Sequence, residues 1–517
     1  MPPKVHHELY SIDKLMRPPP ILIFFLLLLL FMLGFKKNTH QTKSGYTHYQ
    51  LAQFHSIDTA LNLAETKLMG TLKELSFNSE LHPGHTVRGT GRWDTEYMKR
   101  SEWTSGFFSG SLWYMYQITG EEQWREFATS WTEDLTGAAT ISYDHDTGFR
   151  IFSSFGNGYR LMENRHYFRT LLRGASTLAD RYNPEIGAIK SWDWIGNFPV
   201  IIDNLINLEL LFWAAKSIDM EEWFEMARSH AELSLLHHMR PDGSSYHIVD
   251  FNNNGSVSRK FTTQGCDQSA SGCGPVSVWA RGQAWAIYGF TMIYRYTGEQ
   301  QFLNAAIDAS NYFINNLPAD YIPFYDFHEP NRSVRTKDTS AAAIAASGFF
   351  ELYTFTNDEK FFNTAVEIME SLTSDTYSSI NSTSNSILQQ STIHRGKGNV
   401  GTSYADYYYL EAIVRYLLIT DSQFPEIETK SIFYLEQNYP NPFNNSTNIY
   451  FSIQSEGVVN LSVYDINGRK IQTLENRFLP SGSYRSVFNA GSHPSGVYFY
   501  TLNVNGERIA KKMTLLK

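Results

Sequence analysis

Thr297-Gly298-Glu299-Gln300-Gln301-Phe302 closes one long apolar run and opens an amphipathic one, and the same arrangement recurs along the chain. It returns as Thr119-Gly120-Glu121-Glu122-Gln123-Trp124, as Ile218-Asp219-Met220-Glu221-Glu222-Trp223 and as Thr356-Asn357-Asp358-Glu359-Lys360-Phe361. Each places Gly, Asp or Asn where a helix should stop, the position that favours a left-handed cap. Acidic residues follow where the next helix should begin, matched to the positive end of its dipole, and an aromatic ring tucks back. The runs before these turns, such as residues 210–215 and 284–294, are apolar nearly all round, whereas those after them are amphipathic. That contrast predicts an inner ring of buried helices inside an outer ring that faces water, an all-α (α/α)6 barrel, although an open solenoid of hairpins would share the pattern. Further helices are expected over 167–182 and 404–419.

After Asp421 the character changes. Alternating short strands are expected over 448–453, 458–464, 484–488 and 497–504, with Asp465-Ile466-Asn467-Gly468 and Pro480-Ser481-Gly482 as turns. The domain reading is therefore a helical domain over 45–421, a linker over 422–435 and a small all-β sandwich over 436–517. At the other end, Lys14 and Arg17 precede an unbroken apolar run over 21–35, followed by Lys36 and Lys37. The run falls short of the ~20 residues that cross a bilayer and matches a signal-peptide core, so residues 1–36 are read as an export signal. The net charge of -9 gives no broad attraction to nucleic acid, so an anionic ligand must be met by a local cluster of cations. Only Cys266 and Cys273 occur, close together; in an exported chain they suit a small disulfide loop, and two surface thiols are the alternative.

Asp203 lies in Ile201-Ile202-Asp203-Asn204-Leu205-Ile206, with Pro199 just ahead as a suitable helix opening. A carboxyl in such apolar company loses hydration, which raises its pKa toward that of a general acid; a carboxylate that fixes packing would look the same. Asp144-His145-Asp146 precedes Gly148 and, taken alone, reads as a solvated turn, since no further ligand at fixed spacing supports a metal. Arg281 and Trp285 are four apart at the opening of a buried helix and so share a face. The Arg suits a bidentate grip on a carboxylate and the Trp a stack on a sugar ring, with core packing the plainer role for the Trp. His394-Arg395-Gly396-Lys397-Gly398-Asn399 is a basic, glycine-rich loop that suits an anion or a solvated turn equally.

Together these pieces resemble the unsaturated glucuronyl hydrolases of glycoside hydrolase family 88. The resemblance rests on Trp103-Thr104-Ser105-Gly106-Phe107, His145-Asp146-Thr147-Gly148-Phe149, Ser191-Trp192-Asp193-Trp194, Ile202-Asp203-Asn204-Leu205, Pro241-Asp242-Gly243, Trp279-Ala280-Arg281-Gly282-Gln283-Ala284-Trp285 and Asp406-Tyr407-Tyr408-Tyr409-Leu410-Glu411, in that order. It implies an (α/α)6 barrel, Asp203 as acid/base and Asp146 as a second essential carboxylate. It also implies His247, Gln264, Arg281 and Trp285 around the uronate, Trp103 and His145 as its wall, and Arg395 and Lys397 toward the next sugar. The expected reaction is hydration of the C4=C5 bond of an unsaturated terminal uronate, with no metal or organic cofactor. A sulfated, ulvan-type oligosaccharide is the expected partner, ahead of glycosaminoglycan or rhamnogalacturonan fragments. A non-catalytic surface glycan-binding protein is the rival class, and the presence of both Asp146 and Asp203 speaks against it. Between Gln264 and Arg281 the chain departs from the family pattern with a longer insertion. Separately, Asn438-Tyr439-Pro440-Asn441-Pro442-Phe443-Asn444, Asn467-Gly468-Arg469 and Ser495-Gly496-Val497-Tyr498 resemble the C-terminal sorting domain of type IX secretion, which implies that export machinery as a second partner.

Overall fold

The computed structural model describes residues 51–517 apart from 219, 265–276, 330–334, 423, 425–432 and 454–455. The expected export signal over 1–36 and the pair Cys266 and Cys273 therefore lie outside the described residues. Helices α1 (Ile57–Glu74), α2 (Ser105–Thr119), α3 (Glu122–Asp134), α4 (Asn157–Met162), α5 (Arg165–Ala179) and α6 (Asn204–Ile218) fill the first half. They are followed by α7 (Glu221–His238), α8 (Ala280–Thr297), α9 (Gln300–Asn315), α10 (Thr339–Thr356), α11 (Glu359–Thr373) and α12 (Ser403–Thr420). A π-helical segment, Gly148–Gly156, runs directly into α4 and the two act as one inner helix.

The capped turns stop and start the helices where their residues indicated. Gly120, Gly298 and Asn357 take φ of 69°, 70° and 52° at the ends of α2, α8 and α10. Trp124, Phe302 and Phe361 are buried just beyond. Neighbour packing closes a ring, from α2 to the π segment, α6, α8, α10 and α12, and from α12 back to α2. α3, α5, α7, α9 and α11 each pack outside an inner partner. This is the expected (α/α)6 barrel. Its core joins Trp113, Phe149, Leu208, Trp285, Phe349 and Tyr409 across the ring.

Close packing inside the ring depends on small residues. A Cβ on Gly106 would meet the carbonyl oxygens of Phe149 and Arg150 at 2.3 Å, and one on Gly148 would meet the Cα of Asn207 at 2.6 Å. The π segment is thus held against α2 on one side and α6 on the other, at backbone-to-backbone range.

Two expectations need correction. Pro199 does not open a helix: it lies in β3 (Phe198–Ile201), opposite Asp250 of β4 (Ile248–Phe251), and α6 begins at Asn204. Pairing with β4 satisfies that backbone, and Pro is tolerated because β3 is an edge strand of the sheet β3-β4-β5, where β5 is Val257–Phe261. The helix expected over 167–182 ends at Ala179, and Tyr182–Asn183 forms β1, paired with β2 (Ala188–Ile189).

At the C-terminal end, β6 (Phe433–Leu435), β7 (Ser446–Ile453) and β10 (Gly482–Asn489) form one sheet, ordered β10-β7-β6. β8 (Gly457–Tyr464), β9 (Lys470–Leu479), β11 (Gly496–Val504) and β12 (Glu507–Leu515) form the other, ordered β12-β11-β8-β9. Ile449, Phe451, Leu461, Tyr500, Leu502 and Met513 fill the space between. The Asn-Tyr-Pro-Asn-Pro-Phe motif ties this sandwich together. Asn438 is buried, donates from its side chain to Pro440 O and Thr447 Oγ1, and donates from its backbone to the Tyr500 hydroxyl.

One end of the barrel is threaded by buried charge. Glu351 meets Arg295 at 2.6 Å and Arg415 at 2.9 Å, Glu209 meets Arg295 at 3.0 Å, and Tyr114, Tyr288 and Ser347 all donate to Glu411. These residues come from α2, α6, α8, α10 and α12, so the network clamps five of the inner helices in register. Removing Glu351 takes one carboxylate partner from the exposed Arg295, which keeps Glu209, and one from the half-buried Arg415, which keeps Glu411 at 3.7 Å. The Glu351→Ala variant is expected to lose about 1–3 kcal/mol of stability in chemical denaturation, while Glu122→Ala, which breaks an exposed pair with Arg125, loses less than about 1 kcal/mol.

Candidate active site

A cavity of about 450 Å³ is lined by Trp103, Asp146, Asp203, His247, Gln264 and Arg281 together. Residues from well-separated parts of the chain converge there because loops at one end of the ring carry them. Asp203 stands in the turn between β3 and α6, and His247 immediately precedes β4, whose partner is β3. The sheet therefore sets the acid beside the imidazole. Ile202 N donates to His247 O at 3.0 Å, and His247 Nε2 is 3.9 Å from Asp203 Oδ1.

Asp203 is half-buried, and its Oδ1 is buried without a hydrogen-bond partner. Burial pushes its carboxyl up to about 7, against the opposing pull of the Arg281 guanidinium. Burial also pushes Asp146 well above the ordinary carboxylate range; Asp144 adds to this, Arg150 opposes it, and Asp203 adds a smaller push. Two carboxyl groups in one dry cavity do not both ionise cheaply.

His247 is held neutral, its pKa driven well down by burial and by Arg281. Its Nδ1 lies 3.1 Å from Thr262 Oγ1 and 3.4 Å from Thr263 N, which leaves Nε2 on the side of Asp203. Around the same cavity Gln264 Oε1, Trp279 Nε1 and Arg281 Nε are likewise buried without partners. Arg281 spends one terminal nitrogen on Asp338, Ser340 and Thr392 O, and the other on Ile393 O at 2.8 Å. The guanidinium carries five N–H donors, so its Nε edge is left to meet a carboxylate. Buried donors and acceptors normally have partners, so a group of unpaired ones around one cavity marks a ligand seat.

The segment Asp144-His145-Asp146 is not the solvated turn that its residues alone suggested. Asp144 is buried and grips the buried Arg150 at 2.5 Å, and its Oδ1 accepts from Asp146 N at 3.0 Å. The π segment anchors this loop, since Phe149 N donates to Asn207 Oδ1 at 2.9 Å.

His145 and Trp285 stand differently from expectation. His145 has no exposed surface and lies behind Asp146, with Nε2 3.5 Å from Asp146 Oδ1; burial pushes its pKa down to about 4. Trp285 is also fully buried, packed between Phe149 and Tyr408 at 5.2 and 5.3 Å. One helical turn beyond Arg281 takes it below the cavity floor, so it supports the seat rather than lining it. Trp103 does line the cavity, braced by Phe107, Phe149 and Tyr404.

The basic loop is also altered by its surroundings. Arg395 is tied at 2.7 Å to the buried Glu329, and Lys397 stands 5.0 Å from the Tyr97 ring centroid. Neither lines the cavity, although Ile393 of the same segment does. Sequence reasoning had not singled out Trp279, which lines the cavity beside His247 at 4.6 Å, nor Asp338, which orients Arg281 from the N-cap of α10. A capping Asp before Thr339-Ser340 was legible, but its partner some 57 residues away was not.

Known proteins resemble this chain in sequence and fold. Over 326 residues the chain is 39% identical to an unsaturated glucuronyl hydrolase of Formosa agariphila, covering 61% of this chain and 80% of that one. It is 32% identical to the enzyme of that name from a Bacillus species, strain GL1, over 61% of this chain and 86% of that one. A crystal structure of an unsaturated glucuronyl hydrolase specific for heparin superposes with a TM-score of 0.65 at 36% identity, over 70% of this chain and 98% of that one. Residues 437–515 match the family described as the secretion system C-terminal sorting domain, which indicates export by type IX secretion. The barrel, the shared cavity and these likenesses agree: the chain belongs to the unsaturated glucuronyl hydrolases, glycoside hydrolases of family 88.

Proposed function

We propose that Asp203 is the acid and base that removes a 4,5-unsaturated uronic acid from the non-reducing end of an acidic oligosaccharide. The observation that carries this is a carboxyl with a pKa near 7 in a cavity that also holds an unpaired guanidinium edge. The Arg281 Nε edge and Gln264 hold the uronate, with Trp103 against its ring. The neutral Asp203 carboxyl gives its proton to C4, and positive charge develops at C5, shared with the ring oxygen. Water then adds at C5 and returns a proton to the Asp203 carboxylate, so the step consumes one water and regenerates the acid. The C5 hemiketal opens to a ketone, and the hemiacetal left at C1 releases the neighbouring sugar. Asp146, whose affinity for protons is raised by burial, holds the sugar or orients the water. Both carboxyls thus serve a double bond, unlike the paired acid and nucleophile of ordinary glycoside cleavage.

The neighbouring sugar is sulfated in this reading, as in an ulvan-type oligosaccharide, with Lys397 as the cation that meets the sulfate. Support comes from the Gly396-Lys397-Gly398 loop, which is continuous with Ile393 at the cavity, and from a tail that suits an enzyme working outside the cell. Arg395 serves this loop by bracing it through Glu329. The residues over 1–36 act as the signal that precedes type IX export to the cell surface or medium.

Asp203→Asn is expected to lower kcat/KM by roughly 10²–10⁴-fold, followed as loss of the unsaturated uronate's ultraviolet absorbance, and wild-type turnover in this variant would remove Asp203 from the mechanism. The acid must be protonated to work, so kcat/KM is expected to fall as pH rises through about 7. The same carboxyl has its folded pKa raised from 3.8, so its contribution to stability is present below that value and is lost as pH climbs through about 7. Asp203→Asn should therefore raise the thermal midpoint more at pH 8 than at pH 5. For the sulfate, Lys397→Ala should cost roughly 10-fold in kcat/KM on sulfated substrates from lyase-treated ulvan, chondroitin or heparin. Equal losses on unsulfated counterparts would discard that assignment.

A further inference from the structure

A line of rings leads outward from the catalytic floor. His247, beside Asp203, meets Trp192 edge-on at 6.3 Å. Trp192 stacks on Trp194, with centroids 5.8 Å apart and planes 22° from parallel, and Trp194 meets Tyr143 at 6.4 Å. Exposure rises outward from 5% at His247 to 64% at Trp194, and Tyr143 beside it is 47% exposed. All of these residues line the one cavity, so the last two stand at its mouth. So large an exposed ring is apolar surface that folding alone would hide.

The loop that carries Trp194 is pinned on both sides of it. Arg181 donates to both carboxylate oxygens of Asp193, at 3.1 and 3.2 Å, and to Lys190 O at 2.8 Å. Beyond the ring, Asn197 N and Phe198 N both donate to Asp250 Oδ1, at 2.9 and 3.0 Å. Gly196 makes that turn at φ +70°, and a Cβ there would meet Asp250 at 2.5 Å. The indole is therefore presented in a fixed orientation, and little ordering remains to oppose a ligand that lies against it.

The direction of the substrate follows from the shape of the site. A terminal uronate held at Asp203 and Arg281 occupies the inner end, so the rest of the oligosaccharide must leave through the mouth. Pyranose rings have apolar C–H faces that suit flat aromatic surfaces, and stacking needs no charge on the sugar. We infer that Trp194, backed by Trp192 and flanked by Tyr143, is a stacking platform for a sugar ring beyond the uronate's immediate neighbour, so that unsaturated oligosaccharides of three or more sugars are favoured over disaccharides. The inference rests on the reading of the cavity given under Proposed function and extends it to chain length.

The test compares the full chain with its Trp194→Ala and Trp194→Phe variants on unsaturated di- and tetrasaccharides released by one lyase from ulvan and, in parallel, from chondroitin. In Trp194→Ala the ratio of kcat/KM for tetrasaccharide over disaccharide is expected to fall roughly 3- to 10-fold, mainly through KM, while Trp194→Phe keeps most of it. A ratio that stays at the wild-type value in Trp194→Ala, with the thermal midpoint also preserved, overturns the platform and leaves the proposed reaction standing. Absence of turnover by the wild-type chain on every unsaturated substrate overturns the proposed reaction itself, which separates the two failures. Should Trp194→Ala fold poorly, Trp194→Leu takes its place, and a wild-type ratio in well-folded Trp194→Leu overturns the platform equally.

Discussion

The site depends on the contact between the π segment and α6. Gly148 lies so close to Asn207 that a single methyl group would force the two backbones apart. Asn207 then receives Phe149 N at 2.9 Å and fixes the register of the segment. That contact carries Asp146 into the same dry cavity as Asp203, two turns of chain that are otherwise unrelated. Both carboxyls line that one cavity, and burial raises the affinity of each for protons. The raised proton affinity of both carboxyls is therefore a product of helix packing.

Around the pair, the barrel separates rigid support from reactive groups. Asp144 and Arg150 form a buried ion pair beneath Asp146, while Asp338, Ser340 and two backbone carbonyls hold one side of Arg281. The Nε edge of Arg281 is left unpaired. Such asymmetric use of a guanidinium costs framework hydrogen bonds nothing and leaves a directed donor for an anion. His247 is neutral for the same reason that Asp203 is protonated: both lose hydration, and each neutral form is then favoured.

Much of the barrel was legible because its helix ends are local events. Gly120, Gly298 and Asn357 mark caps through their own backbone preference, and the acidic residues after them begin the next helix. The sheet β3-β4-β5 escaped notice because its strands are four or five residues long, too short for alternation to announce them: β3 and β4 are buried throughout, and β5 carries Ser258, Arg259 and Lys260. β9 and β12 were missed for a related reason. Their Lys, Arg, Glu and Asn residues read as loop, although both strands lie at the edges of their sheet, where charge is tolerated.

By itself the sequence determined where the capped helices α2, α8 and α10 end, which runs are buried all round, and which acidic and basic residues sit in the motifs shared with the family. Those features are set by neighbours along the chain, within a turn or two of helix. Tertiary structure alone decided that Asp144-His145-Asp146 is buried, that His145 and Trp285 back the cavity instead of lining it, and that Arg395 is spent on Glu329. Burial, pairing and exposure depend on which distant segments meet, and a linear reading has no term for that proximity.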